Sequence, residues 1–255
     1  MRPNRIKQMW RDGRCVTLGW LSVSHGFTAE VMARQGFDAL CVDMQHGLTD
    51  FSDLWPMLQA ISQTDTVSIV RVPWNDPATI MKALDLGAYG ILVPLINTAE
   101  DAAKAVAACR YPPVGMRSSG PLRAVHYGGA NYQVEANGEI VVLAMIETKE
   151  GLANLDAICA PPGLDAVYIG PADLSYALGL SPRMDNPDPV HLATCDRIRE
   201  TAHHHGIKAC MHCASAAFAA GAVKRGFDLI MLTSDISSLI AGARRQLDDL
   251  KAATA

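Results

Sequence analysis

Eight short runs of apolar and β-branched residues alternate with helical patterns along all 255 residues, which predicts an α/β protein. Glycine-led dipeptides mark helix exits just ahead of strands, at Gly36-Phe37, Gly87-Ala88 and Gly226-Phe227. Residues able to do chemistry gather where the apolar runs end. These three observations together predict a (β/α)8 TIM barrel, in which the loops after the strands build the active face. Barrels of this length are commonly one domain, so 1–255 is expected to be a single unit. An open doubly wound sheet is the alternative, but no Gly-rich phosphate loop follows the first strand.

Taken in order, MRPNRIKQMWRDGR is basic but polar and reads as a short helix stopped by Gly13. The first strand is expected over Val16–Leu21 and the second over Ala39–Asp43. The third covers Ser68–Val72 and leads to Asn75-Asp76-Pro77, a cap followed by proline in the first helical turn. Gly90–Val93 is the fourth, and Thr98-Ala99-Glu100-Asp101 opens the next helix. A long glycine-containing loop is expected over 115–138. Val141–Ile146, Ala166–Ile169, Lys208–His212 and Leu229–Leu232 complete the set. His203-His204-His205 before Gly206 fits a helix C-terminus, where cationic residues meet the negative end of the dipole.

Composition excludes several function classes. Apolar residues make up 49% of the chain, enough for a large core. The net charge is −4, with no dense Lys/Arg stripe interleaved with aromatics, which excludes nucleic acid as the main partner. No apolar run reaches the roughly 18–20 residues of a membrane span, so a cytosolic protein without a membrane partner is expected. Seven scattered cysteines, an odd number, fit buried thiols in a reducing compartment. Cys210-Met211-His212-Cys213 has C-x-x-C spacing but lacks the second ligand pair of a zinc site.

The chemistry lies at the strand ends. Strand two finishes in Asp43 and, three residues on, His46; strand three ends in Arg71; strand five in Glu147; and Gly170-Pro171-Ala172-Asp173 follows strand six. Glu147 and Asp173 are hard oxygen ligands suited to a divalent cation such as Mg, Mn, Co or Zn. Arg71 offers a forked cation for a carbonyl or carboxylate. Backbone amides around Ala172 and Asp173 can donate to a carboxylate. Histidine is the side chain whose ordinary pKa lies nearest neutrality, which makes His46 the candidate base, with Asp43 expected to orient its imidazole. A Schiff-base lysine is the other route to an enolate, but Lys208 stands at the wrong end of strand seven and Lys149 opens a helix.

The segments VDMQHG, VRVPWNDP, GILVPLINTAEDA, YPPVGMRS, MIETKEGLANLDAI and IGPADLSYALG resemble the HpcH/HpaI aldolase family, the class II pyruvate aldolases, from about Gly19 to the C-terminal helix. The resemblance implies a phosphoenolpyruvate/pyruvate-type barrel that cleaves 4-hydroxy-2-oxo acids to pyruvate or a substituted pyruvate and an aldehyde. It implies Glu147 and Asp173 as metal ligands, Arg71 on the enolate oxygen, and His46 with Asp43 on the proton of the 4-hydroxyl group. Asp85 matches an acid that helps close the neighbouring subunit's site, so a homo-oligomer, a trimer or hexamer, is implied. Met44-Gln45 replaces the family's usual Gly-Glu, and Met145 replaces a common Gln. His212 stands where a small apolar residue usually faces the pyruvate methyl carbon, which suits hydroxypyruvate at least as well as pyruvate. Arg117, Ser118, Ser119 and Arg123 are expected over the mouth, meeting the aldehyde. Two alternatives stay open: another lyase of this superfold (an acyl-CoA lyase or 2-oxo acid decarboxylase), or a non-catalytic metal–carboxylate sensor.

Overall fold

The computed structural model describes residues 1–254. Its strands are β1 (Val16–Leu21), β2 (Ala39–Asp43), β3 (Val67–Arg71), β4 (Gly90–Val93), β5 (Val141–Ile146), β6 (Ala166–Ile169), β7 (Lys208–His212) and β8 (Leu229–Ser234). All pair in parallel and in sequence order, and β8 closes on β1, so the chain is a closed barrel and not an open sheet. Nearly every strand residue is buried, because the barrel interior packs one side of each strand and the helices cover the other. β3 starts one residue earlier than the apolar pattern marks, since Val67 pairs with Ala39. β8 runs two residues further, with Thr233 and Ser234 pairing Gly19 and Trp20 of β1 after a register shift.

Local signals explain most helices. Asp76 caps the helix Pro77–Asp85, with Pro77 in the first turn, and Thr98 with Asp101 forms a capping box on Ala99–Cys109. Gly36, Gly87 and Gly226 all take positive φ at helix exits. The helix Pro189–His204 ends just before Gly206, which takes positive φ, as the His203–Gly206 pattern predicts, and His203 and His205 bond Asp228 and Asp156. All seven cysteines are free thiols, including Cys210 and Cys213.

The segment 115–138 differs from expectation, because two helices, Leu122–Gly128 and Tyr132–Glu139, occupy most of it. Neither has a side-chain cap, so the sequence carries no start signal. They are held by tertiary contacts instead: Arg117, 1% exposed, donates to Asp85 and to the Tyr132 hydroxyl. The last helix, Asp235–Thr254, is exposed along its length apart from Asp235, whose carboxylate accepts the Ser22 and Val23 amides. Among the described residues, no helix is long and apolar enough to cross a membrane.

Candidate active site

Parallel register places Asp43 and Arg71 opposite one another on the last rung between β2 and β3. Arg71 donates Nε to Asp43 Oδ1 at 2.8 Å and Nη2 to Oδ2 at 2.5 Å, a two-pronged ion pair. Asp43, 2% exposed, also accepts Trp20 Nε1–H and the backbone amides of Gln45 and His46. Burial pushes this carboxyl up, but the Arg71 bonds and charge, with the two amides, outweigh it and hold it below its ordinary value. The Trp20 ring lies beneath the Arg71 guanidinium at 4.8 Å.

This arrangement corrects the expected Asp43–His46 dyad. Asp43 bonds the His46 backbone N–H and not its imidazole, and its two oxygens are shared among the guanidinium, Trp20 Nε1–H and the Gln45 and His46 amides. The imidazole is exposed on the turn and lines the cavity. Gly47 completes that turn; a Cβ there would collide with the Asp43 carbonyl oxygen.

Across the mouth, Glu147 follows β5 directly and is 4% exposed. Its Oε1 accepts the Leu95 amide at 3.0 Å. Leu95 takes φ +54°, a conformation uncommon for a non-glycine residue, and its amide thereby reaches the acid. A Cβ on Gly170 would collide with Glu147 Oε2, so glycine at 170 lets this carboxylate keep its present position. Burial raises the Glu147 carboxyl to about 7, against the Leu95 bond, with the nearby Asp173 charge adding to the rise. Asp173 sits exposed in the first turn of the helix Pro171–Ala177.

His212, at the end of β7, bonds the Tyr168 hydroxyl through Nδ1 at 2.9 Å and packs edge-on to Trp20. The Tyr168 hydroxyl is buried and has no other partner, so its proton points at Nδ1 and His212 carries its own on Nε2. Burial, with the Arg71 charge, lowers the His212 pKa to about 3, which leaves the ring neutral.

His46, Arg71, Glu147, Gly170, Pro171, Ala172, Asp173 and His212 share one cavity of about 320 Å³ at the strand C-terminal ends. Trp20, Ser22, Thr233 and Ser237 also line it and were missed, although the Leu21-Ser22 and Thr233-Ser234 transitions at strand ends carry the same apolar-to-polar signal as Asp43. Arg117 and Arg123, expected over the mouth, lie elsewhere, and Asp85, which the resemblance gives to the neighbouring subunit's site, is outside this chain's own cavity. Arg123 turns away from the mouth and donates to the Leu58 and Leu86 carbonyls and the Ser62 hydroxyl, where two helix C-termini leave acceptors free. Asp85 pairs with Arg117 beside it, and both Asp85 and Arg123 line a separate hollow of about 1020 Å³ that has no residue in common with the mouth. That larger hollow contains none of the strand-end acids, so the smaller cavity is the candidate site. Ser118 and Ser119 are absent from its lining too.

A family model described as HpcH/HpaI aldolase/citrate lyase matches residues 17–241. A hydroxypyruvate/pyruvate aldolase of Rhizorhabdus wittichii is 40% identical over 249 residues, covering 98% of this chain and 99% of the relative. A 4-hydroxy-2-oxovalerate aldolase of Novosphingobium aromaticivorans is 43% identical over 180 residues, 69% of this chain and 68% of the relative. Among solved structures, an HpcH/HpaI aldolase/citrate lyase family protein from Burkholderia cenocepacia J2315 is similar with a TM-score of 0.90 at 32% identity, covering 97% of this chain and 99% of that one.

The Glu147 environment generates a pH prediction for metal-free protein. With its carboxyl raised from 4.5 to about 7 on folding, the unfolded chain binds fewer protons between those values, and stability falls as pH rises through that window. Glu147→Gln keeps the Leu95 bond and removes the buried charge. Its advantage over wild type should therefore grow from about pH 4.5 and reach roughly 3 kcal/mol above pH 7. Urea unfolding across that range measures the difference, and a pH-independent gap would contradict the assignment.

Proposed function

Because the chain belongs to the HpcH/HpaI aldolase/citrate lyase family and is an aldolase, a carbon–carbon lyase, we propose that it reversibly cleaves 4-hydroxy-2-oxo acids to pyruvate or hydroxypyruvate and an aldehyde, with a divalent cation at Glu147 and Asp173. The observation that carries this reading is the charge balance of the cavity. Arg71 is paired with Asp43, whereas neither Glu147 nor Asp173 has an ion-pair partner among the described residues, and burial with the Asp173 charge raises the Glu147 pKa despite the Leu95 bond and the Arg71 charge. Two hard oxygen donors with uncompensated charge fit Mg, Mn, Co or Zn. Among the described residues no three His, Cys, Asp or Glu side chains converge, so most of the coordination shell is left to substrate and solvent. When bound, the cation supplies a Lewis acid for the charge that develops on the 2-oxo oxygen.

The chain's own groups take the remaining roles. Arg71 has its Nε and Nη2 held by Asp43, which leaves Nη1 for the substrate oxygen. The amides of Ala172 and Asp173 receive the substrate carboxylate. His46 removes the proton of the 4-hydroxyl as the C3–C4 bond breaks: C4–O becomes the aldehyde carbonyl, and the C3–C4 electron pair becomes the enolate. Protonation at C3 then releases the 2-oxo acid. The Nε2–H of neutral His212 can donate to a hydroxyl on C3, which favours hydroxypyruvate as donor. An acyl-CoA substrate is disfavoured, because Arg117 is buried against Asp85 and Arg123 is bound to backbone carbonyls.

A homo-oligomer is part of the proposal. Ile236, Leu239, Ile240, Leu247 and Leu250 form one apolar stripe on the C-terminal helix and all are exposed. A second copy of this chain is the occupant that fits, since the chain is implied to close its neighbour's site and Asp85 lies outside its own. Light scattering should show an oligomer, and Leu239→Glu with Leu247→Glu should shift it to a smaller species. An active wild-type monomer would remove this part of the proposal.

Pyruvate and hydroxypyruvate, each offered with a panel of aldehydes with and without chelator, test the main reading. Turnover should vanish with chelator, return with divalent cation, and be at least as fast with hydroxypyruvate. Turnover that survives chelation and is lost to borohydride plus substrate would establish a lysine route instead. In a separate test, His46→Ala should slow cleavage by ~10²–10⁴ while cation binding persists. A folded, metal-loaded His46→Ala protein with kcat within about threefold of wild type would end the role given to His46.

A further inference from the structure

Two buried side chains, Ser175 and His191, meet one backbone carbonyl, that of Pro171, and each is itself held by a second buried polar group, Asn186 and Cys195. Ser175 and His191 are 0% exposed and Asn186 is 4% exposed. Ser175 Oγ donates to the Pro171 carbonyl at 2.7 Å, and His191 Nε2 lies 3.3 Å from the same oxygen. Asn186 Nδ2 donates to Ser175 Oγ at 3.0 Å, which leaves the serine proton to Pro171. The buried Cys195 Sγ lies 3.6 Å from His191 Nδ1. Burial pushes the Cys195 thiol up to about 12, so it keeps its proton and donates to Nδ1, and His191 Nε2 carries the proton that reaches Pro171.

We infer that Ser175, Asn186 and His191 are positioning residues for the reaction, pinning the Pro171 carbonyl so that the other end of its peptide unit, the Ala172 N–H, and the Asp173 beyond it face the cavity. The inference rests on the aldolase reading above. Its physical basis is the planar trans peptide, in which C=O and N–H point in opposite directions. Two donors hold the Pro171 oxygen among residues that do not line the cavity, and Ala172 and Asp173 do line it. The Ala172 and Asp173 amides have no acceptor among the described residues. Donors on the carbonyl also polarise the peptide and strengthen the N–H at its far end.

The test uses metal-loaded enzyme and three readouts: calorimetric binding of oxalate (a planar dianion that mimics the enolate of pyruvate), KM and kcat for the 2-oxo acid, and the thermal midpoint. Ser175→Ala should weaken oxalate binding and raise KM by roughly five- to tenfold, with a much smaller change in kcat. His191→Phe should behave alike, and His191→Gln, which restores an N–H donor, should return both values toward wild type. His191→Phe keeps the volume of the ring and answers the question even where Ser175→Ala does not fold. Variants that lose thermal stability but leave the oxalate Kd and KM within about twofold of wild type would reduce the network to a structural role and overturn the inference. Wild-type protein that binds neither oxalate nor a 2-oxo acid would defeat the aldolase reading itself, and this inference with it.

Discussion

The Asp43–Arg71 ion pair is the constraint from which the site geometry follows. Barrel register brings the two residues to the same rung, and the pair forms because neither charge could be buried there alone. Once formed, it fixes the guanidinium in plane, seats it over Trp20, and engages both Asp43 oxygens. On the proposed chemistry, Arg71 is thereby a preorganised donor whose orientation costs nothing at the moment of reaction. Lysine at position 71 would keep the charge and lose the two-pronged fit that sets direction.

The other side of the cavity is built on the opposite principle. Glu147 is held without a counterion by one amide, and that amide comes from a residue in a strained backbone conformation. Gly170 gives up its side chain so that the carboxylate fits. A protein selected for stability alone would not bury an acid this way. On the proposed function, the left-handed Leu95, the missing Cβ at Gly170 and the raised carboxyl at Glu147 belong to a site whose charge is completed by a bound cation.

How much of this was legible in the sequence depended on the range of the interaction. The strands were readable because a buried parallel strand is a short continuous apolar run, and six of the eight have the bounds the pattern marked. The Glu147 and Asp173 placement was readable because topology alone puts strand ends at one rim. The helices Leu122–Gly128 and Tyr132–Glu139 were not, since no capping residue announces them and Tyr132 is fixed by Arg117 from outside the helix. The D-x-x-H spacing of Asp43 and His46 invited a dyad, but the partner that claims Asp43 stands 28 residues away. Arg123 failed for the same reason: its acceptors are carbonyls of two other helices, and carbonyls leave no mark in a sequence. Ser175 and His191 sit in ordinary helical segments, where a buried polar residue is indistinguishable from an exposed one until the packing is known.

The cavity wall is uneven in rigidity, and this bears on how one aldolase site can serve a fixed donor and varied acceptors. Asp43, Arg71 and Glu147 are set at strand ends by hydrogen bonds and burial, and the Gly170–Asp173 loop rests on the buried Ser175–Asn186–His191 network. His46, by contrast, stands exposed on a turn, and Met184 and Ser237 beside the same cavity are exposed as well. A group that must hold a planar enolate gains from fixed donors, because misplacement of about 1 Å is costly to a developing charge. A base that must reach the hydroxyl of differently sized aldehydes gains from a side chain free to swing. On the proposed chemistry the 2-oxo acid therefore occupies the strand-built side, under Arg71 and beside Glu147, and the aldehyde leaves through the exposed side past His46. The absence of a carboxylate from the His46 ring is then part of the design: an imidazole tethered as in a rigid dyad would tie the base to one acceptor length.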